Sequence, residues 1–430
     1  MTLAIAKASN APEPSRRGSI RVRGLWLTGA LAVLIVGIGL WYAQSGLRDA
    51  QRLAARRHWQ EARGRVGDYL RLHPASDAGK MLLAETLARD EQLPAETAIP
   101  RAIELLREIP AGSPHAEEAR IRAANLELLV LLRPLRAEAL LREATVMNPD
   151  SLEAWYALWK LLELTGRSQF AETAFWRVYE LTPLADRGER MRDWYMSQFF
   201  PATANPALDQ LMGFSNPAQT HPAGAEFQRL LEYRNAERDA PAAHASLARW
   251  FHNDGDHRQA LSLLEEGWSL PRAFEDGYFV ATLTSVAFEL GDFDAVAQYV
   301  RQWPEPREGY EYWRWEAIAA EEIDHDYPRA LDAYARSLQV WPGPADWRTQ
   351  FRQANCLAKM GRGQEANELR TAARRVEDWM DREVHRRLRE QLRRLDDREA
   401  LEGVVEFYAA LGRAREVAAW REVLDHLAGE

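Results

Sequence analysis

Residues 148–183 read NPDSLEAWYALWKLLELTGRSQFAETAFWRVYELTP. Apolar residues recur at helical spacing on both sides of Gly166, so the stretch predicts two antiparallel helices joined by a tight turn. Gly166 falls at the turn, where a positive φ at a helix end costs a glycine least. Pro183 lacks an N–H and blocks the helical turn before it, so it ends the second helix. A single hairpin of this size cannot bury its own apolar face, and copies must flank it.

The copies appear when the same frame is laid on the neighbouring chain. Pro149 stands 34 residues before Pro183, and Ala137 and Ala144 occupy the slots of Ala171 and Val178. Further upstream Ala102 and Pro114 keep register with each other, with a first helix around Lys80–Leu87 and an inserted loop near Gln92–Ile99. The earliest copy carries Ala62 and Pro74, and its first helix would begin near Ala43. After Pro183 the frame fails. Pro201, Pro206, Pro217 and Pro222 crowd residues 186–240, with Pro241 just after, and the stretch predicts helices at about 187–200 and 225–237 around an irregular, protease-sensitive middle at 200–224. The frame then returns. Leu247, Ala248, Phe251, Gly255 and Ala260 mark one unit, and Leu283, Gly291 and Val296 the next. Ala330, Tyr334 and Pro342 mark a third, and Ala354, Leu357, Gly361 and Ala366 a fourth. A last hairpin holds Tyr408 and Gly412, after a charged stretch at Arg374–Glu399.

The central stretch resembles the tetratricopeptide (TPR) family, whose unit carries W-x2-L-G-x2-Y, then A-x3-F, then P over 34 residues. Trp155, Leu158, Ala171, Phe175 and Pro183 keep that spacing, whereas Trp159, Leu162 and Val178 replace the family's Gly, Tyr and final Ala. The resemblance covers most of residues 44–183 and 241–425. It implies a right-handed superhelix of helix pairs with a concave face that holds peptides or partner helices, in proteins that are mostly adaptors without catalysis of their own.

The N-terminus has a different character. Residues 1–23 form a polar, basic tail that composition predicts to be disordered. Gly24–Leu47 then contains no charged residue, and Leu25–Tyr42, LWLTGALAVLIVGIGLWY, is long enough to cross a bilayer as a helix. Trp26 at one end and Trp41 and Tyr42 at the other suit the two membrane interfaces. The expectation is a transmembrane helix at 24–46 in a bacterial inner (cytoplasmic) membrane, with the N-terminus cytoplasmic and the body periplasmic. The body would comprise an N-terminal array at 47–185, an insertion at 186–240 and a C-terminal array at 241–430. The formal charge of −9 argues against nucleic acid as the main partner. The single cysteine, Cys356, excludes an intrachain disulfide.

Several stretches imitate chemical motifs. Gly361–Ala366, GRGQEA, matches the dinucleotide fingerprint, but a helix rather than a strand precedes it, and its glycines fill a repeat turn. His252, Asp254, Asp256 and His257 could ligate a metal, yet Asp and Asn beside Gly255 equally serve a helix turn. The arginines of 374–394 alternate with glutamates that suit a solvated helix. No catalytic residue, cofactor site or metal site is expected. Aromatic residues are dense at Tyr310, Tyr312, Trp313 and Trp315, beside Arg314, and these five are the expected partner-binding residues on a helix at about 309–323. The whole reads as an all-α, TPR-like solenoid of helix hairpins with an N-terminal transmembrane helix. Its expected work is to hold a protein or peptide partner at the membrane as a scaffold. A narrower alternative is an assembly factor for an envelope machine, such as secretion or cytochrome maturation, and a rival from another class is an enzyme with its site at the 186–240 insertion.

Overall fold

A computed structural model describes residues 46–164, 168–199, 231–232 and 234–429. The expected membrane span and basic tail lie outside these residues, apart from the last residues of the uncharged run. So do Gly166, the 200–224 stretch and the start of the expected 225–237 helix. Among the described residues no helix is long and apolar enough to cross a membrane. No strand occurs among them either. The chain divides into two compact units, one ending at Ile109 and one beginning at Pro110.

In the first unit, residues 46–55 are helical, followed by α1 (Trp59–Leu72), α2 (Asp77–Arg89) and α3 (Ala95–Arg107). Its core is small. Ala50, Ala54, Ala62, Val66 and Leu82 are buried, with Leu47, Trp59 and Leu70 packed around them. Ser76 caps α2 by accepting from the Gly79 amide at 3.2 Å. Glycine is needed at position 79 for space, since a Cβ there would stand 2.8 Å from Leu70 Cδ2. The inserted loop is shorter than the sequence suggests. Thr97–Ile99 already belong to α3, because Pro94 precedes the helix and starts it, and Pro100 is accommodated one turn in.

The second unit opens with hairpins α4/α5 (Ala116–Leu129, Pro134–Met147) and α6/α7 (Leu152–Leu164, Ser168–Leu181). Helix α8 (Arg187–Phe199) follows Pro183. Beyond the undescribed residues come α9/α10 (Pro241–Asn253, His257–Trp268), α11/α12 (Gly277–Glu289, Phe293–Arg301), α13/α14 (Tyr310–Glu322, Tyr327–Ser337) and α15/α16 (Trp347–Lys359, Gly363–Trp379). The short α17 (Arg382–Gln391) and a last hairpin, α18/α19 (Arg398–Ala410, Ala414–Gly429), complete the unit. The small slots behave as the frame requires. Ala137, Ala144, Ala248, Ala260, Ala330, Ala354 and Ala366 are fully buried, and so is Val178. These positions face a neighbouring helix so closely that a larger side chain would hold the two apart. The turns are equally regular. Gly255, Gly291, Gly361 and Gly412 all have φ between 70° and 88°. After two of them an aspartate caps the next helix, Asp256 on the Gln259 amide and Asp292 on the Ala295 amide. Each such cap contributes about 1 kcal/mol.

Gly343 is a different case. It lies just beyond α14, and a Cβ there would meet the Ser337 carbonyl oxygen at 2.1 Å. That obstacle is backbone and cannot rotate away. Gly343→Ala is therefore expected to cost about 1–3 kcal/mol, seen as a lower melting temperature than that of wild type.

Contacts between distant parts of the sequence close the second unit on itself. The Glu237 carboxylate is buried and accepts from the Arg136 amide at 3.2 Å, at the N-terminus of α5. Asp239 lies 3.7 Å from Arg136. On the other side, the last hairpin docks on α7 and α8. Arg413 bridges Glu172 and Glu416, and Glu416 also accepts from the Trp194 indole at 3.2 Å. The Tyr179 hydroxyl donates to Glu422 at 2.6 Å, and Arg187 pairs with the same carboxylate. The Tyr408 hydroxyl donates to Gln198 at 2.8 Å. Residues 134–199 are thus held from both ends of the 237–422 portion, and a cavity lies between.

Candidate functional site

The cavity measures about 830 Å³. One wall comes from α5–α8 and carries Glu138, Arg142, Glu163, Phe170, Trp194, Ser197 and Gln198. The other comes from α9, α11, α13 and the turns between hairpins, with Arg249, Tyr278, Trp303, Tyr310, Tyr312 and Trp341. A volume in this range is ordinary for a site that buries a small ligand or a few side chains of a partner. The lining holds eight carboxylates (Glu138, Glu163, Asp239, Glu275, Asp276, Glu305, Glu308, Glu311) against three guanidiniums (Arg142, Arg249, Arg272), so its field is negative. Part of that charge is spent internally. Glu138 pairs with Arg142 at 2.8 Å, Glu275 with Arg272 at 2.5 Å, and Asp276 caps α11.

The wall from α6 to α8 is built on packed rings. Phe175 and Trp194 stack with centroids 4.4 Å apart, and Trp159 packs against both. All three rings are buried. Phe199 packs edge-on against Trp341 at 5.3 Å. Phe170, by contrast, is 43% exposed, with the Arg142 guanidinium over its ring at 5.7 Å.

Glu163 follows Trp159 by one helical turn and shares its face of α6. The Lys160 ammonium lies 3.3 Å from one of its oxygens and 3.8 Å from the Trp159 ring centre. The other oxygen is buried and has no hydrogen-bond partner. Ser197 lies beside it, but the Ser197 hydroxyl donates to the Trp194 carbonyl at 2.8 Å. Burial pushes the Glu163 carboxyl up to about 7, and the Lys160 charge, with weaker help from the Ser197 and Trp159 side chains, pulls it down only in part. Gln198 is in a similar position on α8, since its Oε1 accepts from Tyr408 while its Nε2 has no partner.

The five residues expected to bind a partner all sit on α13, but they divide between two environments. Tyr312 and Trp315 are buried in the hydrophobic core, Tyr312 against Trp303 and Trp315 against Phe288. Tyr310 and Tyr312 reach the cavity. The Tyr310 hydroxyl donates to Asp346 at 2.5 Å, and burial raises its pKa well above the ordinary phenol value. Trp313 is half-buried under Arg336, and Arg314 lies over Trp315 at 4.9 Å. Glu163, Phe170, Trp194 and Gln198 were not singled out by sequence. The available signal is the carboxylate of Glu163, placed one turn after a tryptophan in a largely apolar helix.

The remaining motifs resolve into architecture. Gly361 makes the α15–α16 turn, and Gly363 opens α16 after a helix, so no strand precedes the GRGQEA stretch. His252 and His257 meet at 3.0 Å between their Nδ1 atoms, and His252 Nε2 lies 3.2 Å from the Ser285 hydroxyl. Asp256 is engaged as a helix cap. Among the described residues no group of three or more metal-ligating side chains converges. The arginines of 374–394 pair with nearby glutamates, Arg386 with Glu383 and Arg393 with Glu390 at 3.1 Å.

These hairpins, with buried alanines at most small slots and glycines of positive φ at several turns, define an all-α array of TPR-like helix hairpins. No family model matches the chain, and no curated protein matches it. Among solved structures it is similar to the Cut9–Hcn1 hetero-tetramer of the APC/C, at 12% identity over 90% of this chain and 76% of that one, with a TM-score of 0.38. It is also similar to PilF of Pseudomonas aeruginosa (14% identity, 53% of this chain, 93% of that one, TM-score 0.27). A third is the TPR domain of P58(IPK) (18% identity, 81% of this chain, 98% of that one, TM-score 0.26). The superpositions are partial, and the assignment rests on the chain's own repeat geometry.

Proposed function

We propose that the protein is a non-catalytic scaffold that holds a segment of a partner protein in the cavity between α5–α8 and α9–α13. The observation that carries this reading is the cavity itself. It has the volume for several side chains, and aromatic rings line it. The uncharged Gly24–Leu47 run supports placement at a bacterial inner membrane as a single-pass anchor with the body in the periplasm.

Site-specific photocrosslinking in intact membranes tests this. A photoreactive residue in place of Phe170, which lines the cavity, is expected to capture one defined partner. The same residue in place of Val146, which is 80% exposed and outside the cavity, is expected to capture none. Equal capture from both positions, or from neither, removes the cavity as the binding surface. Carbonate extraction of the same membranes checks the anchor, because full-length protein released by that wash would not be integral.

A further inference from the structure

The cavity reading leaves open which chemistry the partner segment brings, and two features of the α6–α8 wall bear on that. The first is the charge balance of the lining, five more carboxylates than guanidiniums. The second is Glu163, one oxygen of which is buried without a hydrogen bond of ordinary geometry, with the Ser197 and Trp159 side chains beside it. A buried acceptor left unmade costs free energy that a bound donor would return. Aromatic residues line the same cavity, Trp194 and Phe170 among them. A carboxylate backed by rings is the setting that favours an ammonium or guanidinium over a neutral donor.

Resting on the proposed scaffold role, we infer that the partner segment is basic and that Glu163 anchors one of its lysine or arginine side chains. Lys160 occupies one carboxylate oxygen, and the incoming cation takes the other. A small turn of the carboxylate brings that oxygen to the cavity, which Glu163 already lines. Among the described residues, the charge acting on Glu163 is that of Lys160 on its own helix. The adjoining part of α8 contributes Ser197 and Gln198, and that of α7 contributes Phe170 and Ala171, all uncharged. Arg142 on α5 is already paired with Glu138. A second cation therefore restores the ionised form of a carboxyl that burial holds partly protonated near neutrality, and binding releases a proton.

Calorimetric titration of the full-length protein in detergent tests this, with an oligoarginine peptide and its citrulline counterpart, which keeps the shape and removes the charge. At pH 7 the arginine peptide is expected to bind at least tenfold more tightly than the citrulline peptide. Comparison of buffers with different ionisation heats is expected to show release of about half a proton per site. Glu163→Gln is expected to weaken the arginine peptide at least tenfold and to abolish the release, while Glu402→Gln, outside the cavity, changes neither. Arginine binding that Glu163→Gln leaves intact, or that releases no proton, overturns the anchor and leaves the cavity reading standing. Equal binding of both peptides overturns the basic segment but not the cavity. Crosslinking from Phe170 that fails altogether overturns the scaffold reading itself.

Discussion

Glu163→Gln is expected to stabilise the second unit at pH 8 by about 3 kcal/mol, and the gain should fade as pH falls. The sign follows from the two protonation states. The unfolded carboxyl titrates at its ordinary value of 4.5, and burial raises the folded value to about 7. Between those limits the folded chain binds more protons than the unfolded chain, so stability falls as pH rises. Above the folded value the full cost of an ionised buried carboxylate is present, and below 4.5 it is absent. Glutamine keeps the shape and carries no charge, so it avoids the cost at any pH. Melting curves of wild type and variant from pH 4 to pH 8 should therefore diverge toward the alkaline end. Parallel curves would show that Glu163 is solvated in the folded state. If Glu163 anchors a cation, the same substitution gains stability and loses binding, the trade expected where a site is kept under strain for function.

A loss of about 3–5 kcal/mol is expected from Arg413→Ala. Arg413 is 9% exposed and joins residues far apart in the chain, Glu172 on α7 and Glu416 on α19. Its guanidinium also lies 5.5 Å from the ring centre of Trp341. Removing it strands the Glu416 carboxylate, which is 1% exposed and already receives the Trp194 N–H. Few arrangements are more costly than an ionised group buried without its partner. Arg415 provides the comparison. It pairs with Glu180 at 3.2 Å across the same contact but keeps a 57% exposed side chain, so Arg415→Ala should cost less than about 1 kcal/mol. Thermal melts rank the two, and hydrogen exchange locates the effect. The amides of α7, α8 and the last hairpin should lose protection together in Arg413→Ala. A melt within a degree of wild type would mean that Arg413 does not help to hold the last hairpin.

The local pattern of this chain was largely legible. Buried alanines at most small slots and positive-φ glycines at four of the turns follow from short-range rules, because helix spacing and turn chemistry depend on a few neighbouring residues. Trp155, Ala171 and Pro183 therefore place one hairpin, and the frame places its copies, while the helix at 187–199 is legible outside the frame. The inserted loop shows the limit of that reasoning, since repeat register marks extra residues near Gln92–Ile99 but not that the helix resumes at Ala95. Aromatic density at Tyr310–Trp315 announced a helix with rings on more than one side. It did not announce that Tyr312 and Trp315 would enter the core while Tyr310 turned to Asp346, because burial depends on what packs opposite.

The cavity belongs to that second category. Its walls meet only because Glu237 accepts from the start of α5 and because Arg413, Tyr408 and Glu422 bring the last hairpin onto α7 and α8. Those contacts join residues separated by about a hundred positions or more, and no periodicity encodes them. Glu163 shows the difference in one side chain. In sequence it is one of many glutamates on a helix, and only the rings and helices that the tertiary fold assembles around it remove its water and raise its proton affinity. The sequence by itself determined the repeating hairpin, through the spacing of small and apolar residues. The tertiary structure decided which faces close on one another, and with them which carboxylate is left buried and short of a partner.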